Sequence, residues 1–301
     1  MSTGHDHELP RVRPGWALTL TCLVLLLAGC AAVGERRALP GTGHGTPDAQ
    51  LPPSPHYELL RLQTRDGTRI AAEFCDALDA KGQPLTKPDH RPTLIFFYAR
   101  AMCLAEEPTQ KLAHYFQRMG VNVLIPEYPG YGMSEGRATE QGCYAAADAA
   151  YDYAVQRAAG GQAGIIIAGW SLGTGVAMDL ASRQPASGLI IVGAFTDIRD
   201  MARTMVPWPL RWMAKPMTAR CRFDNLDKIP AVTCPILIVY GAEDTFVPPE
   251  MSERLAAAAK AKVTSLPVAG AHHADVWTVG GDALWQKIAN WVHSRGAGGR
   301  P

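Results

Sequence analysis

The chain has 301 residues, 47% of them apolar and 19% charged, and a formal net charge of +1. This is the composition of a folded protein, not of a disordered one. The near-zero charge and the shortness of basic groups such as Arg36-Arg37 exclude nucleic acid as a partner, which needs a clustered basic surface to neutralise phosphates.

The N-terminus reads as an address. Arg11 and Arg13 precede an apolar run from Trp16 to Leu27, too short for a ~30 Å hydrocarbon core and suited to a signal-peptide h-region. The run ends in Leu27-Ala28-Gly29-Cys30, which resembles the lipobox of bacterial lipoproteins. The resemblance implies cleavage before Cys30 and a diacylglyceryl group on its thiol. Ala31, rather than Asp, follows. In lipoproteins of two-membrane bacteria this implies sorting to the outer membrane, facing the periplasm. A plain signal peptide or an uncleaved anchor is the competing reading. Residues 1–29 are thus expected to be a lipoprotein signal peptide. Residues 30–55, rich in Gly and Pro, are expected to be a flexible tether. A folded domain is expected over 56–301.

In that domain strands and helices alternate. Tyr57–Gln63 and Arg69–Phe74 flank Asp66-Gly67, a hairpin signal. Thr93–Tyr98, Val121–Pro126, Gly164–Ala168, Gly188–Val192, Pro235–Tyr240 and Lys262–Pro267 read as buried strands. Helices are expected over Glu107–Met119, Tyr144–Arg157, Leu172–Arg183 and Ala283–Ser294. The spacing predicts an α/β fold: a mostly parallel central sheet flanked by helices, with catalytic loops at the C-terminal strand ends.

Gly169-Trp170-Ser171-Leu172-Gly173 joins a strand to a helix. There G-x-S-x-G makes a tight turn that lifts the serine oxygen above the sheet. Ser171 is the candidate nucleophile, and the Leu172 amide a candidate oxyanion donor beside the helix N-terminus. A serine acting only as an N-cap is the bland alternative. Downstream, Gly241-Ala242-Glu243-Asp244-Thr245-Phe246-Val247-Pro248 offers two carboxylates, and Gly270-Ala271-His272-His273-Ala274-Asp275 two histidines. Along the chain the order is candidate nucleophile, then acids, then histidines.

These motifs resemble the α/β-hydrolase superfamily, whose loops G-x-x-D-x-x-V-P and G-x-x-H-x-D select Asp244 as acid and His273 as base. Glu243 and His272 then fall on variable positions. Tyr128-Pro129-Gly130-Tyr131-Gly132-Met133-Ser134-Glu135-Gly136 and Arg222-Phe223-Asp224-Asn225-Leu226-Asp227-Lys228-Ile229 resemble the branch that holds the alpha/beta-hydrolase-domain depalmitoylases. Taken singly, each stretch is also ordinary turn chemistry.

The resemblance implies the α/β-hydrolase fold with a small lid insertion (about 195–230) and hydrolysis of carboxylic esters or thioesters through an acyl-enzyme on Ser171. It implies a small acyl ester or lipid-like substrate as partner, with membrane contact through Cys30. No cofactor and no metal is expected: glycine fingerprints, a Walker loop and C-x-x-C pairs are all absent from the sequence. A peptidase of the same fold and a non-catalytic binding lipoprotein remain as alternatives.

One loop departs. Where the family has H-G-N-A-G-N, this chain has Tyr98-Ala99-Arg100-Ala101-Met102-Cys103. By alignment the second oxyanion amide is that of Arg100, whose side chain is also free to aim charge at the site. Relatives place the regions of Cys103 and Cys143 near each other, which in an oxidising envelope implies a bridge. The lid's Met201, Met205, Trp208, Trp212, Met213 and Met217 suit an acyl chain, or else form a local core of their own.

Overall fold

Isoleucine-rich runs fix the centre of the molecule. The computed structural model describes residues 29–41, 57–85, 91–158, 161–205 and 207–296. The signal segment and the rest of the expected tether lie outside the described residues. Strands form at β1 (Tyr57–Gln63), β2 (Arg69–Cys75), β3 (Thr93–Phe97), β4 (Asn122–Pro126), β5 (Ile165–Trp170), β6 (Gly188–Val192), β7 (Ile236–Gly241) and β8 (Val263–Val268). They make one eight-stranded sheet in the order β1-β2-β4-β3-β5-β6-β7-β8. β1 and β2 are antiparallel, as are β2 and β4; every later pair is parallel. β3, β4, β6 and β7 are buried along their whole length, because helices cover both faces. Their side chains are therefore apolar in continuous runs and do not alternate. Each buried isoleucine of Ile165–Ile167 contributes about 1.5–3 kcal/mol.

The helices are α1 (29–38), α2 (Glu107–Gln117), α3 (Glu140–Arg157), α4 (Leu172–Arg183), α5 (Ile198–Met205), α6 (Ala214–Met217), α7 (Asn225–Lys228), α8 (Pro249–Ala258) and α9 (Val276–Gly296). The strands and the helices α2 and α4 stand where the sequence predicts them, within a few residues. α3 starts earlier than expected because Thr139 caps it, its Oγ1 accepting from the Gly142 amide at 3.0 Å. α9 also starts earlier and is broken at Gly281, whose φ is 49°. α8 is a helix the sequence reading passed over, although Pro249 at its start is a helix-opening signal.

The expected tether is a correction. Its first part is helical, and Ala31, Glu35 and Leu39 are buried against the domain. A β-carbon at Gly34 would fall on the carbonyl oxygen of Met217, so α1 lies against α6 with no space between backbones. The low apolar content led to the tether reading, but one residue per helical turn is enough when Gly34 allows so close an approach. Among the described residues no helix is long and apolar enough to cross a membrane.

Candidate active site

β5 delivers Ser171 into a turn with no room for side chains. A β-carbon at Gly169 would strike the Gly173 carbonyl, and one at Gly173 would strike the Phe97 carbonyl on β3. Both positions therefore need glycine. Ser171 itself has φ 51° and ψ −116°, a costly conformation for a residue with a β-carbon. The Ser171 amide donates to the Val192 carbonyl at 2.9 Å, and the Ser171 carbonyl accepts from the Thr174 amide at 2.9 Å and from Thr174 Oγ1 at 2.6 Å. Leu172 opens α4, which is buried from Leu172 to Ala181.

β7 and β8 carry the partners. Gly241 lets the two strand-end loops meet, since a β-carbon there would hit the Ala271 carbonyl. The Ala242 amide donates to the Val268 carbonyl at 3.0 Å, and the Glu243 amide to the Ala271 carbonyl at 2.9 Å. Asp244, only 3% exposed, accepts on Oδ1 from the amides of Phe246 (2.9 Å) and Val247 (2.8 Å). Its Oδ2 stands 2.7 Å from His273 Nδ1, and His273 Nε2 stands 2.8 Å from Ser171 Oγ. An ionised carboxylate only accepts, so Nδ1 carries the proton and Nε2 is left to accept from the serine hydroxyl.

The members of the two open pairs have different surroundings. His272 is exposed; its amide donates to Asp275 Oδ1 at 2.6 Å and its Nδ1 lies 2.5 Å from the Glu243 carbonyl. Glu243 is exposed. Ser171, Asp244 and His273 are the three brought together.

Two contributors went unread in the sequence. Gly193, at the end of β6, has φ 59°, and a β-carbon there would lie 3.0 Å from His273 Cε1. A glycine directly after a buried strand was the available signal. Glu127 is fully buried. It accepts from the Leu104 amide at 2.9 Å and from the Met133 amide at 2.5 Å, tying the loop after β3 to the Tyr128–Gly136 turn. Burial pushes its carboxyl above the ordinary range. A β-carbon at Gly132 would collide with this carboxylate.

The loop without glycines is held by other means. Tyr98 and Tyr128 are fully buried with ring centroids 4.7 Å apart. The Tyr128 amide donates to Tyr98 Oη at 3.2 Å, and Tyr128 Oη to the Tyr98 carbonyl at 3.1 Å. Ala101 takes φ 60°, the left-handed region usually left to glycine. Arg100 stands at the aligned position just beyond β3, but its guanidinium is spent elsewhere: Nη1 donates to the Arg37 carbonyl of α1 at 3.1 Å. The implied Cys103–Cys143 bridge is not formed; both are free thiols, Cys143 being buried. Cys30 is half-buried on α1. Among the described residues no group of three or more His, Cys, Asp or Glu side chains is placed to hold a metal.

Known proteins agree with this architecture. Residues 92–220 match the family described as alpha/beta hydrolase fold. The chain is 30% identical over 264 residues to alpha/beta hydrolase domain-containing protein WAV2 of Arabidopsis thaliana, covering 82% of each chain. It is 28% identical over 250 residues to human alpha/beta hydrolase domain-containing protein 17B, covering 76% of this chain and 84% of the relative. A solved Pyrococcus furiosus esterase superposes with a TM-score of 0.62 at 18% identity, over 85% of this chain and 95% of that one. Sheet order, serine turn and sequence relatives converge, and the chain belongs to the alpha/beta hydrolase fold family.

Proposed function

We propose that the protein is a serine hydrolase of carboxylic esters or thioesters. The observation that carries this is the continuous hydrogen-bonded line from Ser171 Oγ through His273 to Asp244, mounted on a strained strand-to-helix turn. His273 Nε2 takes the Ser171 proton as Oγ attacks the acyl carbonyl carbon. Asp244 stabilises the imidazolium that results. The oxyanion of the tetrahedral intermediate is held by the backbone amides of Leu172 and Arg100. His273 then returns its proton to the leaving alcohol or thiol, and the acyl group stays on Oγ. Water, deprotonated by His273, releases the acid.

Likeness to the alpha/beta-hydrolase-domain relatives and the motifs of the depalmitoylase branch support an acyl chain as the substrate's carbonyl side. Cys30, at the lipobox-like position, supports a lipid anchor in a bacterial envelope, with the catalytic domain on the periplasmic face of the outer membrane.

The test is hydrolysis of p-nitrophenyl esters from C2 to C16 by the full chain beside Ser171→Ala. Turnover that disappears in the variant supports the reading, and the chain-length profile reports the acyl site. The altered Tyr98–Cys103 loop favours a second reading, a binding protein that kept the triad without the chemistry. Absence of turnover together with absence of fluorophosphonate labelling selects it.

A further inference from the structure

The lid carries two of the most exposed large apolar side chains among the described residues. Trp208 is 79% exposed and Trp212 70%. Burying them would remove much apolar surface from water, so leaving both outside is unfavourable unless something covers them. They sit on the 3₁₀ turn Trp208–Met213, directly before α6.

The segment's own charge is one-sided. From Met201 to Arg222 the chain has five basic residues, Arg203, Arg211, Lys215, Arg220 and Arg222, and no acidic one. Their spacing hides them from a search for basic runs. All five are exposed. Arg203 pairs with Asp200 and Arg222 with Asp224. Arg211, Lys215 and Arg220 make no ion pair among the described residues.

α1 packs against the same lid. Gly34 packs on the Met217 carbonyl of α6. Cys30 lies four residues earlier on the same helix, hence on the same face one turn away. The residue read as the lipid anchor therefore stands beside the lid. Amphipathic indole rings with dispersed cations are the chemistry of an anionic bilayer interface, where indoles settle at headgroup level and cations meet phosphates.

We propose that the lid face bearing Trp208, Trp212, Arg211 and Lys215 docks on an anionic phospholipid bilayer and holds the mouth of the catalytic domain at the membrane surface. This extends the reading of Cys30 as a lipid anchor, and rests on it for the side from which the bilayer approaches. The lid leaves the sheet a few residues after Gly193, which packs on His273, so docking brings acyl groups of the bilayer toward the serine.

The test uses the full chain with Cys30→Ser and Ser171→Ala, so that neither lipidation nor catalysis decides it. The apolar run 16–27 can itself hold vesicles. The readout is therefore where the two indoles lie: quenching of tryptophan fluorescence by vesicles of dibrominated phosphatidylglycerol, compared with the same chain carrying W208F/W212F. Expected is a quenched component that is absent from the W208F/W212F chain, and that falls on the order of tenfold in amplitude with dibrominated phosphatidylcholine or after R211Q/K215Q. Equal quenching of the two chains overturns the proposal, as does equal quenching by the two lipids. A dimer in sedimentation equilibrium that W208A/W212A dissolves also overturns it, and assigns the face to a second copy of the chain.

Discussion

At the scale of single residues, position matters more than residue type. His272 and His273 are neighbours with opposite surroundings: one turns to the Glu243 carbonyl, the other bridges Ser171 and Asp244. His273→Ala is expected to lower kcat by about 10³-fold or more, as loss of a triad base does, while His272→Ala stays near wild type; steady-state ester kinetics separate them. Equal losses would contradict the assignment. Glu127 gives a pH signature. Its carboxyl is raised above its ordinary 4.5, chiefly by burial. Between 4.5 and that raised value the folded chain binds more proton than the unfolded one, so this group favours the fold most below 4.5 and less as pH rises through its folded pKa. The melting temperature of the wild type is therefore expected to fall relative to that of Glu127→Gln as pH climbs from 4.5; a constant difference would show that burial does not shift this group. The juxtaposition of Ser171, Asp244 and His273 was legible in the sequence because the roles proposed for them demand fixed neighbours: two glycines around the serine, and short motifs at two strand ends. Glu127 was not, because a buried acid satisfied by distant amides leaves no local pattern.

At the scale of elements, legibility followed periodicity. β3, β5, β6 and β7 are short apolar runs between polar stretches and read directly. α8 was missed although Pro249 opens it, since its buried face is only Met251, Ser252 and Leu255, too few apolar residues to show a helical period. α1 was missed for a clearer reason. Its buried positions 31, 35 and 39 keep helical spacing, but the middle one is Glu35, paired at 3.8 Å with Arg137, so the apolar stripe is broken. A Gly-rich segment also reads as loose, yet Gly34 is what lets α1 lie on α6. Gly34→Leu is expected to cost about 1–3 kcal/mol by overpacking and to speed amide exchange over 31–39 while β5 stays protected. Hydrogen-exchange mass spectrometry checks this, and unchanged protection of 31–39 would show that α1 does not sit against α6.

At the scale of the whole molecule, the sheet places β5, β7 and β8 so that three loops from distant parts of the sequence converge on one hydroxyl. The Tyr98–Cys103 loop lacks the family's glycines, but two buried tyrosines, Glu127 and the Arg100–Arg37 contact hold it instead. A loop braced in this way has the means to present an amide without glycine. The central claim is that Ser171 is a working nucleophile. The measurement that tests it most directly is labelling of the full chain by a fluorophosphonate, with the modified peptide sequenced by mass spectrometry. The account predicts one adduct, on Ser171, abolished by Ser171→Ala and strongly slowed by His273→Ala. An intact folded chain that takes up no label at Ser171, or takes it up as fast without His273, would contradict it.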